Sequence, residues 1–579
     1  MPISNDPLAS ATSALAKGEL VGLAVVPELG VAISTLTAQW LLPASTADKI
    51  RETVATLDES GPRWVWWDRT AARSLVDLGV PVDRCWDILT VHRLLNGGWR
   101  TSIPEVWAAL HDLDPQGIPA LGQMGLLDTP VTTDDPNVAV TPEGYLQPEW
   151  PEGSWAQSLA RASQWARLAV ETAAAQHELI EQRTDAERCL STARSESLAD
   201  FLCAELAAGG LPIDTAEANR IVADAAGPRP KAYSEEDEIR AVRDQDVLQH
   251  LSAPQPVNLR NPSEVKSMLR REGLEVETTR AWQLEQLRDV HPIIDALLLW
   301  RKDERIATTY GYRWLDDHVR GGRLRGDWSS SDGAAGRMTA SAGLHNLPTE
   351  MRSAVAANDG YRFVRADLGQ VEPRVLAAVS GDAAFIAATQ ANDLYETVAQ
   401  QLKVERQVAK LAVLGAMYGA TTGESAHVLP KLHKSYPVAM QMLDAAAERG
   451  RQRQTVTTTG GRLIRTGYGT SPDGDLDGAR SAAESRGRFA RNALIQGAAA
   501  EFFKVWAVIV RRRARALGAE VVLCLHDELL VHVPEANASE VAAIVDAAVT
   551  EAAYYWSPAP EVRFVADVSI IGRWSEAKE

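Results

Sequence analysis

The chain has 579 residues and a formal net charge of −18. This length exceeds what one hydrophobic core usually organises, so several domains are expected, and the negative charge excludes a protein that coats nucleic acid with its whole surface. No run of about 18 uncharged apolar residues is present, which excludes a predicted transmembrane helix. The four cysteines form no C-x-x-C pair and the N-terminus lacks the pattern of a secretory signal. These features predict a cytoplasmic enzyme of bacterial type that does not associate with membranes.

The first third of the chain combines predicted strands and helices. VGLAVV, VAISTL and RWVWW, all within residues 20–100, are predicted strands between helical stretches, which indicates an α/β domain. Residues 112–153 are rich in Pro, Asp, Thr and Gly and predict a long loop or insertion. An Ala-rich amphipathic pattern from Trp155 to about Ala207 predicts helix.

The rest of the chain begins with a break at PQPVNLRNPSEV and continues with predicted helices, a Gly- and Ser-rich region and alternating strands and helices up to Trp574. Between Arg449 and Arg515 there are thirteen Arg and one Lys against five acidic residues, a local balance of 14 − 5 = +9. This segment could follow a phosphate backbone, although such a run is more often a solvated helix face.

Two segments place carboxylates at the ends of predicted strands. The strand FVRAD delivers Asp367, and a helix begins soon after with Glu372. In VVLCLHDELLVHV two apolar runs flank His526, Asp527 and Glu528, which predicts a β-hairpin with acids at its tip. Asp367 and Asp527 could hold two Mg²⁺ ions that stabilise the attacking and leaving oxygens of a phosphoryl transfer. Taken alone, the HDE segment fits an exposed turn equally well.

A third segment supplies positive charge. In VERQVAKLAVLGAMYGATTG the residues Arg406, Lys410, Leu414 and Tyr418 follow at intervals of four and lie on one winding stripe of a predicted helix that ends at GATTG. Arg406 and Lys410 could grip a triphosphate, and Lys410 could protonate the departing pyrophosphate. A surface helix with a basic edge is the alternative.

Taken together, these motifs resemble family A DNA polymerases. ADLGQVEPR resembles the family's motif A, the stripe from Arg406 to Tyr418 its motif B, and LHDE its motif C. GRMTASAGLHNLP, RFARNALIQGAAAEFFK and GRWSEA are similar to three further segments, and all occur in the family's order over about residues 190–579. The layout is similar to the large fragment of bacterial DNA polymerase I without its 5′ nuclease domain.

The resemblance implies roles for the matching residues. Asp367 and Asp527 would bind two Mg²⁺ ions, which Mn²⁺ could replace, and Glu528 would support them. Glu372 would be the steric gate against a ribose 2′-OH. The predicted nucleotide-binding residues are Arg406, Lys410, Leu414, Tyr418, Gln370, Glu372 and Tyr395, and the predicted DNA-binding residues are Arg337, Arg488, Asn492, Gln496 and His526. DNA contacts in the minor groove would test the shape of a base pair rather than its sequence, and generic phosphate contact is the alternative.

The fold that the resemblance implies is a multidomain α/β and α+β protein, in which a right-hand polymerase follows an RNase H-like exonuclease-type α/β domain. The expected division is a degenerate 3′–5′ exonuclease-like domain (1–185), a thumb (186–325), a palm (326–380 and 471–579) and fingers (381–470). The implied partners are primer-template DNA, dNTPs and a separate 5′ nuclease. A monomer located in the cytoplasm with the bacterial nucleoid is expected.

Several positions depart from the family's pattern. Leu414 stands where the family usually carries Phe or Tyr, so sugar-modified nucleotides should be handled differently and nucleotides bound more weakly. Tyr395 stands where many members carry a His near the β-phosphate, and a phenol cannot become cationic.

The N-terminal region departs further. WVWWDRTAARSLVDLGVPVDRCWDILTVHRLLNGG is similar to the middle of an exonuclease domain, with Asp87 near an expected acid position. The early strand carries Glu28 but no D-x-E, and Ala169 stands where the last acid is expected, four residues after Trp165. About four carboxylates around two metals are needed for this chemistry, so proofreading is not expected.

Three functions remain open from sequence. The first is an active DNA-directed DNA polymerase without proofreading, working in repair or replication. The second is a DNA-binding protein with a catalytically retired polymerase fold, against which the intact Asp367, Asp527, Arg406 and Lys410 argue. The third is a 3′–5′ exonuclease that uses the polymerase part as a DNA clamp, against which the missing D-x-E argues.

Overall fold

The computed structural model describes residues 6–98, 100–121, 137–231, 233–419, 426–467 and 476–577. Within these residues the chain forms two compact units. Unit 1 comprises Met1–Gly209, Asp327–Ser341 and Gly360–Ile570, and unit 2 comprises Gly210–Gly326, Ala342–Asp359 and Ile571–Glu579. Part of the predicted loop (122–136), most of the GATTG segment and the predicted boundary at 470/471 lie outside the described residues.

Unit 1 begins with a five-stranded mixed sheet in the order β3-β2-β1-β4-β5. The central strand β1 runs antiparallel to β2 and parallel to β4, and β5 is parallel to β4. The three predicted strands are confirmed as β1, β2 and β4. The strands are β1 (Leu20–Val26), β2 (Gly30–Ser34), β3 (Gln39–Pro43), β4 (Arg63–Trp66) and β5 (Cys85–Asp87), and the helices are α1 (Pro7–Ala14), α2 (Ala47–Asp58), α3 (Arg69–Asp77), α4 (Ile88–Asn96) and α5 (Ile103–Leu110).

Two long helices follow, α6 (Leu159–Glu181) and α7 (Ala186–Gly209), where the sequence predicted continuous helix. Helix α6 crosses the sheet so closely at Gly22 that a Cβ there would lie 1.9 Å from the carbonyl oxygen of Ala166. Helix α7 packs its Phe201 into the core beneath β1 and β4. Helices therefore cover the sheet, and small and apolar residues on its strands allow them to pack closely.

Unit 2 is mainly helical, with a small antiparallel sheet in the order β6-β8-β7. Its core contains apolar side chains from α10 and α12, such as Met268 and Leu297. The elements are β6 (Leu211–Pro212), α8 (Thr215–Ala226), α9 (Tyr233–Leu248), α10 (Pro262–Arg271), α11 (Ala281–Glu285), α12 (Pro292–Thr309), α13 (Tyr312–His318), β7 (Val319–Arg320) and β8 (Arg323–Leu324).

The remainder of unit 1 contains a four-stranded sheet in the order β14-β15-β11-β16. The strands are β9 (Trp328–Asp332), β10 (Arg337–Ala340), β11 (Tyr361–Leu368), β12 (Val456–Thr457), β13 (Leu463–Ile464), β14 (Glu520–Leu525), β15 (Glu528–Pro534) and β16 (Ala566–Ile571). The helices are α14 (Val371–Ser380), α15 (Ala383–Ala388), α16 (Leu394–Leu402), α17 (Arg406–Tyr418), α18 (Leu429–Ser435), α19 (Pro437–Arg451), α20 (Leu476–Ala514) and α21 (Ala538–Trp556).

One helical stretch, Arg480–Leu517, is long and apolar enough to cross a membrane by length and composition. However, 89% of its most apolar window is buried inside the fold. Residues such as Phe502, Trp506 and Val510 on this helix are fully buried. Its apolar character is therefore that of a core helix.

The predicted division into exonuclease-like, thumb, palm and fingers segments stays a prediction. One of its boundaries differs from the packing that we observe, since α7 groups with unit 1 whereas the thumb was expected to begin at residue 186. The reason is that α7 carries apolar residues on several faces, including Cys189, Ala193 and Phe201, and is buried among elements of unit 1.

Candidate active site

A cavity of about 230 Å³ in unit 1 lies among β10, α14, α16, α17, α20 and the turn between β14 and β15. Nine of the residues predicted from sequence line it: Arg337, Gln370, Glu372, Tyr395, Leu414, Tyr418, Gln496, His526 and Asp527. The other predicted residues are not among the described residues that line this cavity: Asp367, Arg406, Lys410, Arg488, Asn492 and Glu528. Segments far apart in sequence therefore meet at one place.

The carboxylates come together through strand pairing. In the antiparallel pair of β11 and β15, Asp367 lies directly opposite Glu528. The backbone amide of Leu368 donates a 2.9 Å hydrogen bond to the carbonyl oxygen of Asp527, which lies in the turn between β14 and β15. Because the acids stand on paired strand ends, their positions are fixed by the backbone ladder rather than by flexible loops.

Arg365 lies between two of these carboxylates. Its Nε donates to Glu528 Oε1 at 2.8 Å, and its Nη2 lies 3.3 Å from Asp367 Oδ2. Arg365 is not among the residues predicted from the sequence. Its position two residues before Asp367 could have indicated a contact between them, because residues two apart on a strand face the same side.

The electrostatics of the pair favour a bound cation. Burial and the nearby Asp527 carboxylate raise the pKa of Asp367 to about 6, although Arg365 opposes this rise. Burial, followed by Glu528 and Glu372, raises the pKa of Asp527 despite an opposing backbone hydrogen bond. Arg365 therefore does not offset the cost of ionising both aspartates, and a cation between them would lower that cost.

The donor atoms fit magnesium. The described residues contain no group of three or more His, Cys, Asp or Glu side chains arranged to hold a metal. Zinc sites in proteins usually use three or four such ligands, whereas Mg²⁺ is commonly held by one or two carboxylates together with water and phosphate oxygens. Asp367 and Asp527 are side chains that could hold a divalent cation.

Glu372 is fixed at both of its oxygens. Tyr418 donates its hydroxyl proton to Glu372 Oε2 at 2.7 Å, and Arg337 Nη2 lies 3.2 Å from Oε1. Burial and this contact with Glu372 raise the pKa of Tyr418, so the phenol stays protonated and donates. Three predicted residues from β10, α14 and α17 thus form one network across the cavity.

The basic stripe begins at the first residue of α17. Arg406 Nε donates to Asp393 Oδ2 at 2.5 Å, and half of the Arg406 side chain is exposed (50%). Lys410, one turn later, is half-buried. The helix ends after Tyr418, where Gly419 takes a left-handed conformation with φ 71°. The predicted helix is confirmed, whereas the contact with Asp393 was not predicted.

Two further residues in the cavity have perturbed pKa values. Burial, and then Glu372 and Asp393, raises the pKa of Tyr395, which is 5% exposed. Burial and the positive charge of Arg337 lower the pKa of His526, which favours the neutral imidazole at neutral pH. His526 also has φ 44°, so the turn that carries it is left-handed.

The predicted DNA-binding residues of α20 follow at intervals of four. Gln496 reaches the cavity, Asn492 is half-buried and Arg488 is exposed. The buried Oδ1 of Asn492 accepts no hydrogen bond from the described residues. Because a buried acceptor without a donor is costly, this atom is suited to receive one from a ligand.

The N-terminal sheet carries a second cavity, of about 430 Å³. Leu23, Ala24 and Val25 of β1 and Ala169 of α6 line it, at the positions where exonuclease acids were expected. Among its described lining residues, Asp68 and Glu152 are the only acids. Its described lining thus holds fewer than the about four carboxylates that two-metal exonuclease chemistry needs.

Asp87, which the sequence places near an expected acid position, is not among the described residues that line this cavity. It lines a different cavity of about 400 Å³, together with Asp200. Its Oδ2 accepts a 3.0 Å hydrogen bond from Trp66 Nε1, and its Oδ1 caps α4 by accepting from the amide of Thr90. Asp68, two residues after the end of β4, lines both cavities.

Comparison with solved structures extends over the whole chain. The polymerase domain of Pol1 from M. smegmatis, solved in complex with a DNA primer-template and dNTP, matches with a TM-score of 0.67 over 99% of both chains. The two sequences are 20% identical, so this likeness concerns the fold.

Comparison with sequences gives the family. DNA polymerase I, thermostable, of Thermus thermophilus is 31% identical over 308 residues, covering 48% of this chain and 36% of that protein. DNA polymerase I of Chloroflexus aurantiacus is 34% identical over 284 residues, covering 44% of this chain and 29% of that protein. The match thus spans about a third of the length of these relatives. The sequence model of DNA polymerase family A matches residues 234–576. The chain belongs to DNA polymerase family A and has its mixed α/β polymerase fold.

Proposed function

We propose that this chain is a DNA-directed DNA polymerase that adds deoxynucleotides to the 3′-OH of a primer by two-metal-ion nucleotidyl transfer. The observation that carries the proposal is the single cavity in which Asp527, Glu372, Leu414 and Tyr418 meet. Acid, gate and fingers-type residues from three separate segments converge there, which fits a template-directed transfer. The family membership and the relatives named DNA polymerase I support the same function.

Asp367 and Asp527 are the residues that would hold two Mg²⁺ ions, with Mn²⁺ as a possible substitute. The ions would supply Lewis-acid stabilisation of the attacking and leaving oxygens. Arg365 restrains Asp367 and Glu528 through its contacts to both, which keeps the carboxylates in place. Rigid placement matters because misplacement of reacting groups by about 1 Å can cost 10²-fold in rate.

The α17 residues would act on the nucleotide. Arg406 and Lys410 lie one turn apart and would bind the triphosphate, Arg406 by a forked contact and Lys410 as a point charge. Lys410 would also protonate the leaving pyrophosphate. Gln370, Leu414 and Tyr395 would surround the sugar and the phosphates.

The duplex would lie along α20 and the β14–β15 turn. Arg488, Asn492 and Gln496 follow along one side of α20 and would contact the minor groove with Arg337. His526 would touch the primer terminus. Minor-groove acceptors occupy similar places in all base pairs, so these contacts would test pair shape.

The polymerase is proposed to lack proofreading. The cavity of the N-terminal sheet presents Leu23, Ala24, Val25 and Ala169 where carboxylates would be needed. Apolar side chains cannot coordinate a hard cation. The N-terminal part, with its RNase H-like strand order, is proposed to be a degenerate exonuclease-type domain.

We also propose a cellular setting on the basis of family membership. The protein would work as a monomer on primer-template DNA in the cytoplasm, with the nucleoid, in DNA repair or replication. A separate 5′ nuclease would supply the cleavage of displaced strands. Binding of dNTPs and primer-template DNA is proposed by analogy with the Pol1 complex from M. smegmatis.

Primer extension with a labelled primer, dNTPs and Mg²⁺ tests the proposal. Wild type should extend the primer, and Asp527→Asn should lose extension by at least about 10³-fold while retaining DNA affinity measured by fluorescence anisotropy. Glu535→Gln, an exposed acid at the far end of β15, is the matched control and should extend normally. Binding without extension would support a retired polymerase, and primer shortening would support an exonuclease.

A further inference from the structure

The carboxylate of Asp393 joins three elements of the proposed nucleotide site. Its Oδ1 accepts from the amides of Tyr395 (2.9 Å) and Glu396 (3.4 Å) and thereby caps α16. The same oxygen accepts from Gln370 Nε2 at 2.9 Å, and the other oxygen, Oδ2, accepts from Arg406 Nε at 2.5 Å. Oδ1 therefore binds the start of α16 and Gln370, whereas Oδ2 binds Arg406.

The Gln370 contact connects Asp393 to the strand that carries Asp367. Gln370 lies three residues after Asp367, caps α14 and has φ 55°. Its Oε1 accepts from the amide of Leu394 at 2.8 Å, while its Nε2 donates to Asp393. This reciprocal pair fixes the start of α16 against the end of the catalytic strand.

The segment before Asp393 is fixed as well. The fully buried Arg374 donates to the carbonyl oxygens of Ala391 and Asn392 at 2.9 and 2.8 Å. It also donates to the carbonyl oxygen of Gly369 at 3.0 Å. Asp393 is therefore held from both sides before any nucleotide arrives.

We propose that Asp393 is a positioning residue that holds Arg406 in the orientation in which its guanidinium receives the triphosphate of an incoming nucleotide. The proposal rests on the polymerase function proposed above. A guanidinium carries five N–H donors in a fixed fork, and the contact with Asp393 is through Nε, at the base of that fork. The terminal nitrogens carry the remaining N–H donors, from which a phosphate could accept hydrogen bonds.

The alternative is that Asp393 competes with phosphate for Arg406. Two observations favour positioning. The pair is partly exposed, 50% for Arg406 and 28% for Asp393, so solvent screens repulsion between Asp393 and a phosphate. In addition, an arginine side chain that is already ordered loses less conformational entropy when it binds.

Steady-state single-nucleotide extension by Asp393→Asn tests the proposal. Asn keeps the Oδ1 acceptor for the α16 cap and for Gln370 but removes the charge that pairs with Arg406. We expect the KM for dNTP to rise about 10-fold, with kcat within about threefold and DNA affinity unchanged. In an Arg406→Gln background the same substitution should change KM less than twofold, because its partner is already gone.

Glu405→Gln is the control for charge alone. Glu405 is exposed, precedes Arg406 and caps α17 without a side-chain hydrogen bond. The control should leave KM within twofold of wild type. Thermal melting identifies a folding defect in Asp393→Asn, and in that case Asp393→Ser, which also keeps an oxygen for the α16 cap and removes the charge, should give the same rise in KM.

The outcomes are separable. A KM that falls or stays unchanged in Asp393→Asn, or an equal effect of Glu405→Gln, would overturn the positioning role while leaving the polymerase function intact. An effect of Asp393→Asn that persists in the Arg406→Gln background would also overturn it. Failure of the wild type to extend primers would instead overturn the proposed function and this inference with it.

Discussion

Glu372 provides the sharpest test of how the site would exclude ribonucleotides. If it is the steric gate, a 2′-OH can enter only when the Glu372 carboxylate moves, and movement breaks its bonds to Tyr418 and Arg337. A hydrogen bond to a charged group contributes about 1.5–3 kcal/mol. The Arg337 pair, whose side chains are 34% and 16% exposed, contributes about 0.2–1 kcal/mol. The sum, roughly 2–4 kcal/mol, corresponds to about 30- to 1,000-fold discrimination.

The assay compares kcat/KM for a dNTP and its matching rNTP in three proteins. Glu372→Ala removes both bonds and the bulk, so the dNTP/rNTP ratio should fall by about 10²-fold. Glu372→Gln keeps the bulk and an acceptor for Tyr418, so its ratio should fall less than about 10-fold. Taking the ratio cancels any general loss from disordering Tyr418. An unchanged ratio in Glu372→Ala, or equal losses in Ala and Gln, would refute the gate reasoning.

Two further predictions follow from single residues. Leu414→Phe should lower the KM for dNTPs and shift the dNTP/dideoxynucleotide preference by about 10-fold, because an aromatic ring beside Tyr395 and Tyr418 can stack where leucine cannot; identical kinetics would refute it. Burial and Asp200 raise the pKa of Asp87 to about 8. The stability of the folded state therefore decreases as the pH rises from about 4, where Asp87 ionises in the unfolded chain, to about 8, where it ionises in the folded chain. Asp87→Asn should therefore flatten the fall in melting temperature over that range by at least about 2 °C, and parallel melting curves would contradict it.

The sequence predicted those features of the site that depend only on residues close together in the chain. Asp367 and Asp527 each follow an apolar run and were predicted at strand ends, and the structure has Asp367 near the end of β11 and Asp527 in the turn between β14 and β15. The stripe from Arg406 to Tyr418 has helical spacing and forms α17. Periodicity is enough for such elements because each depends on its own neighbours in sequence.

Contacts between distant segments could not be predicted in the same way. Asp393 caps α16, but its partner Arg406 lies thirteen residues later on another helix. Asp87 was matched by its place in a motif, but it accepts a hydrogen bond from Trp66 and lines a cavity with Asp200. Asp68 lines the cavity that contains Ala169. Which acid faces which cavity depends on the order of strands in the sheet, and no local pattern records that order.

The packing of α7 across the boundary expected at residue 186 is likewise absent from any local pattern, because α7 contributes to two cores. Its Phe201 packs with the N-terminal sheet, while Glu196, fully buried, pairs with Lys504 of α20 at 2.7 Å. Arg462 also lies 2.7 Å from Glu196. A helix that belongs to both parts makes the N-terminal sheet a support for α20, whether or not the sheet retains any chemistry.

A chain that begins at residue 186 should therefore fold poorly. It keeps the ion pairs of Glu196 but exposes Phe201 and its apolar neighbours. Each fully exposed large side chain costs about 1.5–3 kcal/mol, whereas the typical free energy of unfolding is only about 5–15 kcal/mol. A chain that begins at residue 210 should be worse, because Lys504 and Arg462 lose a buried partner at a cost of about 3–5 kcal/mol. Thermal melting and primer extension of both truncations measure this order. A truncation at 186 that melts and extends primers like the full chain would show that α7 does not need the sheet it packs against, and would refute the supporting role of that sheet.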